Sequence, residues 1–287
     1  MKQFLKPVLG AVLLALSALP VAAQGSVLWG AQPFVNAYHS INQTTGAFIT
    51  TQVVTLPGFT VNGILALTVD PTSGNVYIIA KAAGARRLAV LNLATGAATD
   101  VGAVVTNLSS LAFTTAGVLY ATTGNGTPAG SGPPETLFTL NKATAAATLV
   151  VALGNGADGE VIAYNPLNGL MYHWSGNATN VFESINLTTL AVTNIPQSGA
   201  AHREVFGAVW NGSSFFISDI DSNLLTQTTA GASTLIGTAA ADFRGMALIF
   251  LVTQTAVPTL GVWGMLLLAA LLAMFGAYQL RRRGQAA

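Results

Sequence analysis

Charged residues make up only 7% of this 287-residue chain, so the places where they gather are the first clue to chemistry. Three short segments, ADGE (157–160), AHRE (201–204) and DFRG (242–245), hold Asp158, Glu160, His202, Arg203, Glu204, Asp242 and Arg244. Carboxylates are hard oxygen donors of the kind that bind a divalent cation such as calcium. Asp158, Glu160 and Glu204 are the natural ligands for a cation or small ligand, with Arg203 and Arg244 attracting or balancing charge. The other use of such charges is structural, as ion pairs between neighbouring elements. No nucleophile, base and acid are spaced as a catalytic triad, and His39 and His173 fall in different strand-like runs, where they read as structural. The stretch DIDSN (219–223) has the acid spacing of a calcium loop, but Leu224 stands where its sharp turn needs glycine. With no cysteine, disulfides, thiolate metal sites and a cysteine nucleophile are excluded.

The elements that position these residues repeat. LALTVDPTSGNVYIIAK, LAFTTAGVLYATTG, VIAYNPLNGLMYHWSG and FGAVWNGSSFFISD share one plan, an apolar strand, a turn of Pro, Asn and Gly, and a second apolar strand. A second theme follows the first three, VLNLATGAAT, TLNKATAAAT and SINLTTLAVT, with SINQTTGAFIT earlier in the chain. In each, a recurring Asn (Asn42, Asn92, Asn141, Asn186) opens a tight turn, where its side chain should bond to the turn backbone. Four antiparallel strands recurring at this spacing are the pattern of a β-propeller blade.

First strands should begin near Ile64, Leu111, Val161, Phe206 and Met246, which gives an all-β propeller of five four-stranded blades. RGMALIF (244–250) reads as a first strand with no hairpin after it, and SVLWGAQPF (26–34) as a second strand with no first. The expectation is that these N- and C-terminal strands pair and close the ring, since unpaired strand edges invite aggregation. The alternatives are a six-bladed ring, with a degenerate blade in Thr123–Glu135, or an open solenoid. The acid-bearing segments then all lie where an outer strand crosses to the next inner strand, on one rim of the central channel. Trp29, Trp174 and Trp210 fall in or beside blade strands and belong to the core.

The chain ends carry an address. Met1–Ala23 has Lys2 and Lys6, an apolar stretch and a small-residue VAA before Gln24, the form of a cleaved secretory signal. GVWGMLLLAALLAMFGAYQL (261–280) carries no charge and is long enough for a transmembrane helix, and Arg281, Arg282 and Arg283 form a cytoplasmic stop. The expected plan is a signal peptide over 1–23, a propeller ectodomain over 24–255 and a tail over 256–287, with residues 281–287 cytoplasmic. Between the ends lie six basic and ten acidic residues, a balance that argues against nucleic acid as a partner.

Val257, Pro258, Thr259, Leu260, Trp263 and Gly264, followed by the apolar run and the arginines, resemble the IPTL-CTERM sorting tail, a relative of PEP-CTERM signals. The resemblance covers about the last thirty residues. It implies a Gram-negative envelope protein, processed at the membrane by an exosortase-type enzyme and then held there or moved to the cell surface. A plain carboxy-terminal anchor is the alternative. Two functions fit: a non-catalytic binding or structural protein that meets glycan or another surface protein, or an extracytoplasmic metal-dependent hydrolase or lyase with its site at the channel mouth.

Overall fold

The inner and middle strands of the repeat alternate their side chains between two apolar environments, and that alternation builds the molecule. The structure, a computed structural model, describes residues 25–82, 84–105, 107–124, 133–154, 160–176, 180–250 and 262–284. The first three strands are β1 (Ser26–Ala31), β2 (Ala37–Ile41) and β3 (Phe48–Val53). Blade I follows with β4 (Val61–Val69), β5 (Val76–Ala82), β6 (Ala85–Leu91) and β7 (Ala98–Val104). Blade II holds β8 (Leu108–Phe113), β9 (Leu119–Thr123), β10 (Thr136–Leu140) and β11 (Ala147–Ala152). Blade III holds β12 (Val161–Asn165), β13 (Leu170–Ser175), β14 (Val181–Asn186) and β15 (Val192–Asn194). Then come β16 (Ser198–Gly199), β17 (Val205–Trp210), β18 (Phe215–Asp219), β19 (Asn223–Gln227), β20 (Ala232–Thr238) and β21 (Arg244–Phe250).

These strands form five antiparallel sheets among the described residues. Blade IV is β17 to β20, widened by the two-residue β16, which runs parallel to the outer strand β20. Blade V is assembled from both ends of the body in the order β21-β1-β2-β3. There β1 and β21 run antiparallel, Ser26 opposite Phe250 and Gly30 opposite Met246. The innermost strands touch in a cycle: β4 with β8, β8 with β12, β12 with β17, β17 with β21, and β21 with β4. All five inner strands start within three residues of their expected positions.

The core is five separate clusters, one between each pair of neighbouring blades. β5 shows how one strand serves two of them. Val76, Ile78 and Ala80 join the cluster shared with blade V, while Tyr77 and Ile79 join the cluster shared with blade II. Successive side chains point to opposite faces of a strand, so an unbroken apolar run feeds both interfaces. Trp174 is fully buried against Phe182 and Phe215, while Trp29 and Trp210 pack at the margins of their clusters.

The carboxy-terminal apolar run is helical, α1 (Val262–Gly284). The structure corrects the expected transmembrane span: no helix among the described residues is long and apolar enough to cross a membrane. The charge-free run does not stand apart from its stop signal. Gly276, Gln279 and Arg281, Arg282 and Arg283 are all taken into the same helix. The proposed signal (1–23), Val257, Pro258, Thr259 and Leu260 lie outside the described residues, while Trp263 and Gly264 fall within α1.

The recurring Asn does what its position demands. Asn42, Asn92, Asn141 and Asn186 each accept, on Oδ1, the backbone N–H two residues on, at 2.8 to 2.9 Å. Four residues after each Asn the chain takes positive φ: Gly46 (73°), Gly96 (75°), Ala145 (60°) and Leu190 (60°). At Gly96 a Cβ would sit 2.1 Å from the Val53 carbonyl oxygen, so that glycine is required twice over. Gly96→Ala is expected to cost about 2–3 kcal/mol. Leu190→Gly, which relieves a left-handed leucine, should gain about 0.5–1 kcal/mol. Urea unfolding of the two variants should move in opposite directions.

Candidate functional site

The starts of the inner strands define one rim of the channel, and the described residues of the rim segments lie there. Glu160 immediately precedes β12, Glu204 precedes β17, and Arg244 opens β21. They do not converge on one point. Glu160 is buried inside blade III, where its Oε2 accepts from His173 Nε2 and its Oε1 from Ser175 Oγ. On its far side His173 donates from Nδ1 to Glu183 Oε1 at 2.9 Å. Register explains the arrangement: His173 on β13 sits directly opposite Glu183 on β14.

Both carboxylates and the imidazole are fully buried as side chains. Burial by itself would lower the pKa of His173, but hydrogen bonds and charge from Glu160 and Glu183 outweigh it and raise the value to about 9. The imidazole is therefore cationic at neutral pH, clamped between two anions. Glu135, at the start of β10, feels the same cluster. Burial first, then Glu160, lift its pKa above the ordinary carboxylate range.

The remaining rim residues are each committed elsewhere. His202 bonds through Nε2 to Gln197 Oε1 at 2.9 Å, and Nδ1 faces the Ala200 carbonyl at 3.3 Å. Arg203 reaches Asp221 at 3.4 Å in an exposed pair, the weak kind. Glu204 adopts positive φ (26°), and its carbonyl accepts from the Ile220 N–H. Arg244 pairs with Asp242 at 3.3 Å and lies over the Phe206 ring at 3.5 Å from its centroid. Asp158 is outside the described residues. Among the described residues no group of three or more His, Cys, Asp or Glu is placed to hold a metal ion.

His39 is structural, stacked on Phe48 at 3.9 Å with Nδ1 bonded to Thr51. Burial lowers its pKa, which keeps it neutral. The link of Glu160 to His173 and Glu183 is not among the expectations drawn from sequence. Its signal is the ten-residue separation of His173 and Glu183 around one hairpin, which puts them in register.

The opposite end of the channel is chemically different. There the ends of the inner strands surround an apolar cavity of about 350 Å³, lined by Val69, Phe113, Tyr164, Trp210 and Leu248 among others. The two mouths thus divide the chemistry, polar at the strand starts and apolar at the hairpins.

Fold and rim together define a five-bladed β-propeller that carries a sorting-tail motif. Residues 255–283 match the IPTL-CTERM motif. No curated protein matches the sequence. Among solved structures the chain is similar to one in the crystal structure of a nidogen/laminin complex, at 10% identity and a TM-score of 0.52. That likeness covers 78% of this chain and 98% of the other, and at such low identity it speaks for the fold alone. A structural-genomics protein of unknown function from Bacteroides thetaiotaomicron VPI-5482 is similar over 71% of this chain and 56% of its own, at 18% identity and a TM-score of 0.47.

His173 makes stability depend on pH in a defined direction. Its folded pKa, about 9, lies above its ordinary value of 6.5, so its contribution is complete below about pH 6.5. The contribution is lost as pH rises through about 9. The urea midpoint should therefore fall between those values, and His173→Gln should flatten that fall. Glu160→Gln, which leaves the buried imidazolium half paired, should cost about 3 kcal/mol at neutral pH.

Proposed function

We propose that this protein is an exported β-propeller, sorted to the cell envelope, whose body is a non-catalytic binding or structural module. The observation that carries this reading is the IPTL-CTERM motif over residues 255–283, following a propeller body. The signal-like segment 1–23 supports the same route, and the plan is then a signal over 1–23, a propeller over 24–255 and a sorting tail over 256–287. The partner implied by the tail is an exosortase-type membrane enzyme. The body's own partner is a glycan or another surface protein, met outside the cytoplasm.

The alternative, a metal-dependent hydrolase or lyase at the rim, asks Glu160 to serve a cation. That carboxylate already accepts from His173 and Ser175 inside blade III. What would favour the alternative is the presence of Glu204 and Asp242 along the same rim.

We further infer that pairing of β1 with β21 is what holds the ring shut. Separated, β1 and β21 would each present an open edge, and edges recruit other chains. Deletion of Ser26–Ala31 should yield soluble aggregates, seen as early elution in size-exclusion chromatography. Elution as a stable monomer would argue that the ring does not need this strand.

Sorting is tested by cell fractionation and mass spectrometry of the carboxy terminus. The native chain should be found in envelope or surface fractions with its tail shortened. Replacement of Pro258, Thr259 and Leu260 by Ala should leave it full length. A full-length chain recovered from the cytoplasm in both cases would overturn the reading. With the purified protein, excess calcium after EDTA should leave the melting temperature unmoved. A ligand at a hundredfold excess over its Kd adds about 2.7 kcal/mol, so bound calcium would be obvious. A rise abolished by Glu160→Gln with Glu204→Gln would favour the enzyme.

A further inference from the structure

The body holds six basic residues, Lys81, Arg86, Arg87, Lys142, Arg203 and Arg244. Four have a carboxylate: Arg87 with Asp100 at 2.6 Å, Lys142 with Asp70 at 2.6 Å, Arg203 with Asp221 at 3.4 Å, and Arg244 with Asp242 at 3.3 Å. Among the described residues, Lys81 and Arg86 have no carboxylate at ion-pair distance. Lys81 Nζ donates to the Pro33 carbonyl at 3.3 Å, and Arg86 Nη1 donates to the Leu108 carbonyl.

These two unmatched cations are also neighbours. They sit directly opposite one another in the β5–β6 register, where like charges destabilise a sheet. Arg244 joins them from blade V. The Lys81 ammonium lies 5.0 Å from the centroid of the Phe34 ring, and the Arg244 guanidinium lies 5.4 Å from the same centroid. Phe34 is 69% exposed, so the group is open to solvent at the rim. Lys81, Arg86 and Arg244 are themselves half-buried. Burial, then Arg86 and Arg244, lowers the pKa of Lys81, and burial, then Arg244, brings Arg86 down to about 10. Among the described residues the three cations thus have one carboxylate at ion-pair distance, Asp242. Asp242 pairs with Arg244 and not with Lys81 or Arg86, so an outside anion would relieve the repulsion between those two.

We propose that Lys81, Arg86 and Arg244 form an oxyanion-binding site at the rim of the channel. The ligand presents a carboxylate, phosphate or sulfate group, free or carried on a larger molecule such as an acidic saccharide. The guanidinium of Arg86 offers a planar fork to two oxygens, and the ammonium of Lys81 keeps donors beyond the one given to Pro33. Positive potential focused at a channel mouth draws anions to it. Phe34 supplies an apolar edge beside the charge.

The test uses the purified full chain, freed of phosphate and sulfate, with sodium phosphate and sodium glucuronate as probes. Sodium chloride at matched ionic strength is the control. Phosphate or glucuronate should raise the melting temperature where chloride does not, and calorimetry should give saturable binding. Response to phosphate alone assigns a phosphoryl group as ligand, and response to glucuronate alone assigns a carboxylate. Lys81→Gln removes one repelling charge, so without anion it should melt higher than the parent. With anion it should bind about tenfold more weakly, a loss of about 1.4 kcal/mol. Arg244→Gln should weaken binding likewise. Arg86→Gln removes the donor to Leu108 as well, so Lys81→Gln is the decisive variant. The site is overturned if neither probe acts beyond chloride. It is also overturned if Lys81→Gln melts lower than the parent and answers both probes as the parent does.

Discussion

Every blade of this protein has two apolar faces, and neither can be covered from within the blade. A four-stranded sheet whose odd and even side chains are both apolar must find a neighbour on each side. The five clusters between successive blades are the result, and each draws its side chains from two sheets. The ring is the arrangement that leaves no face over. This constraint also accounts for the low charge content. Strand positions that solvate one face of an ordinary sheet are here turned toward another blade, and polar residues are pushed to turns, rims and outer strands.

Where charge enters the interior it is either paired or held by several hydrogen bonds, as Asp219 is by Asp221 and Asn223. His173 is held between Glu160 and Glu183, and Asp70 takes the ammonium of Lys142 from the neighbouring blade. Desolvated ions of this kind add little net stability, because the loss of water nearly offsets the attraction, but breaking one is expensive. Their effect is on geometry. The imidazolium fixes the spacing of β12, β13 and β14 at the rim end, as the recurring Asn fixes the turns at the other end of four of the five outer hairpins. The unmatched pair of Lys81 and Arg86 stands out against this habit, which is why the pair is unfinished without a ligand.

Much of the architecture is legible in the sequence because the repeat is a backbone requirement written in side chains. The Asn that accepts from the turn, and the glycine or substitute four residues later, recur wherever the same turn recurs. Strand starts are legible to within a few residues for the same reason. The rim chemistry is not. Sequence can place Glu160, Glu204 and Asp242 on one rim. It cannot tell which way each side chain leaves the backbone, and Glu160 turns inward to His173. The basic cluster is hidden because its members come from a hairpin tip and from a strand more than 150 residues away. The carboxy-terminal run is legible as a helix, α1, but not as a membrane span, since no described helix is long and apolar enough to cross a membrane.

Blade V has a consequence for the order of folding. Its inner strand, β21, is the last strand of the body to be made, and the next strand outward, β1, is the first. Blades I to IV can form from contiguous stretches of chain, each closing only local loops. The final ladder brings together residues separated by almost the whole body, and such distant pairings set the slow step of folding. Until it forms, β1 waits with an open edge and the cluster containing Leu28, Phe243 and Met246 stays incomplete. A chain built this way makes most of its residues before this cluster can be completed, because Leu28 and Met246 come from opposite ends of the body.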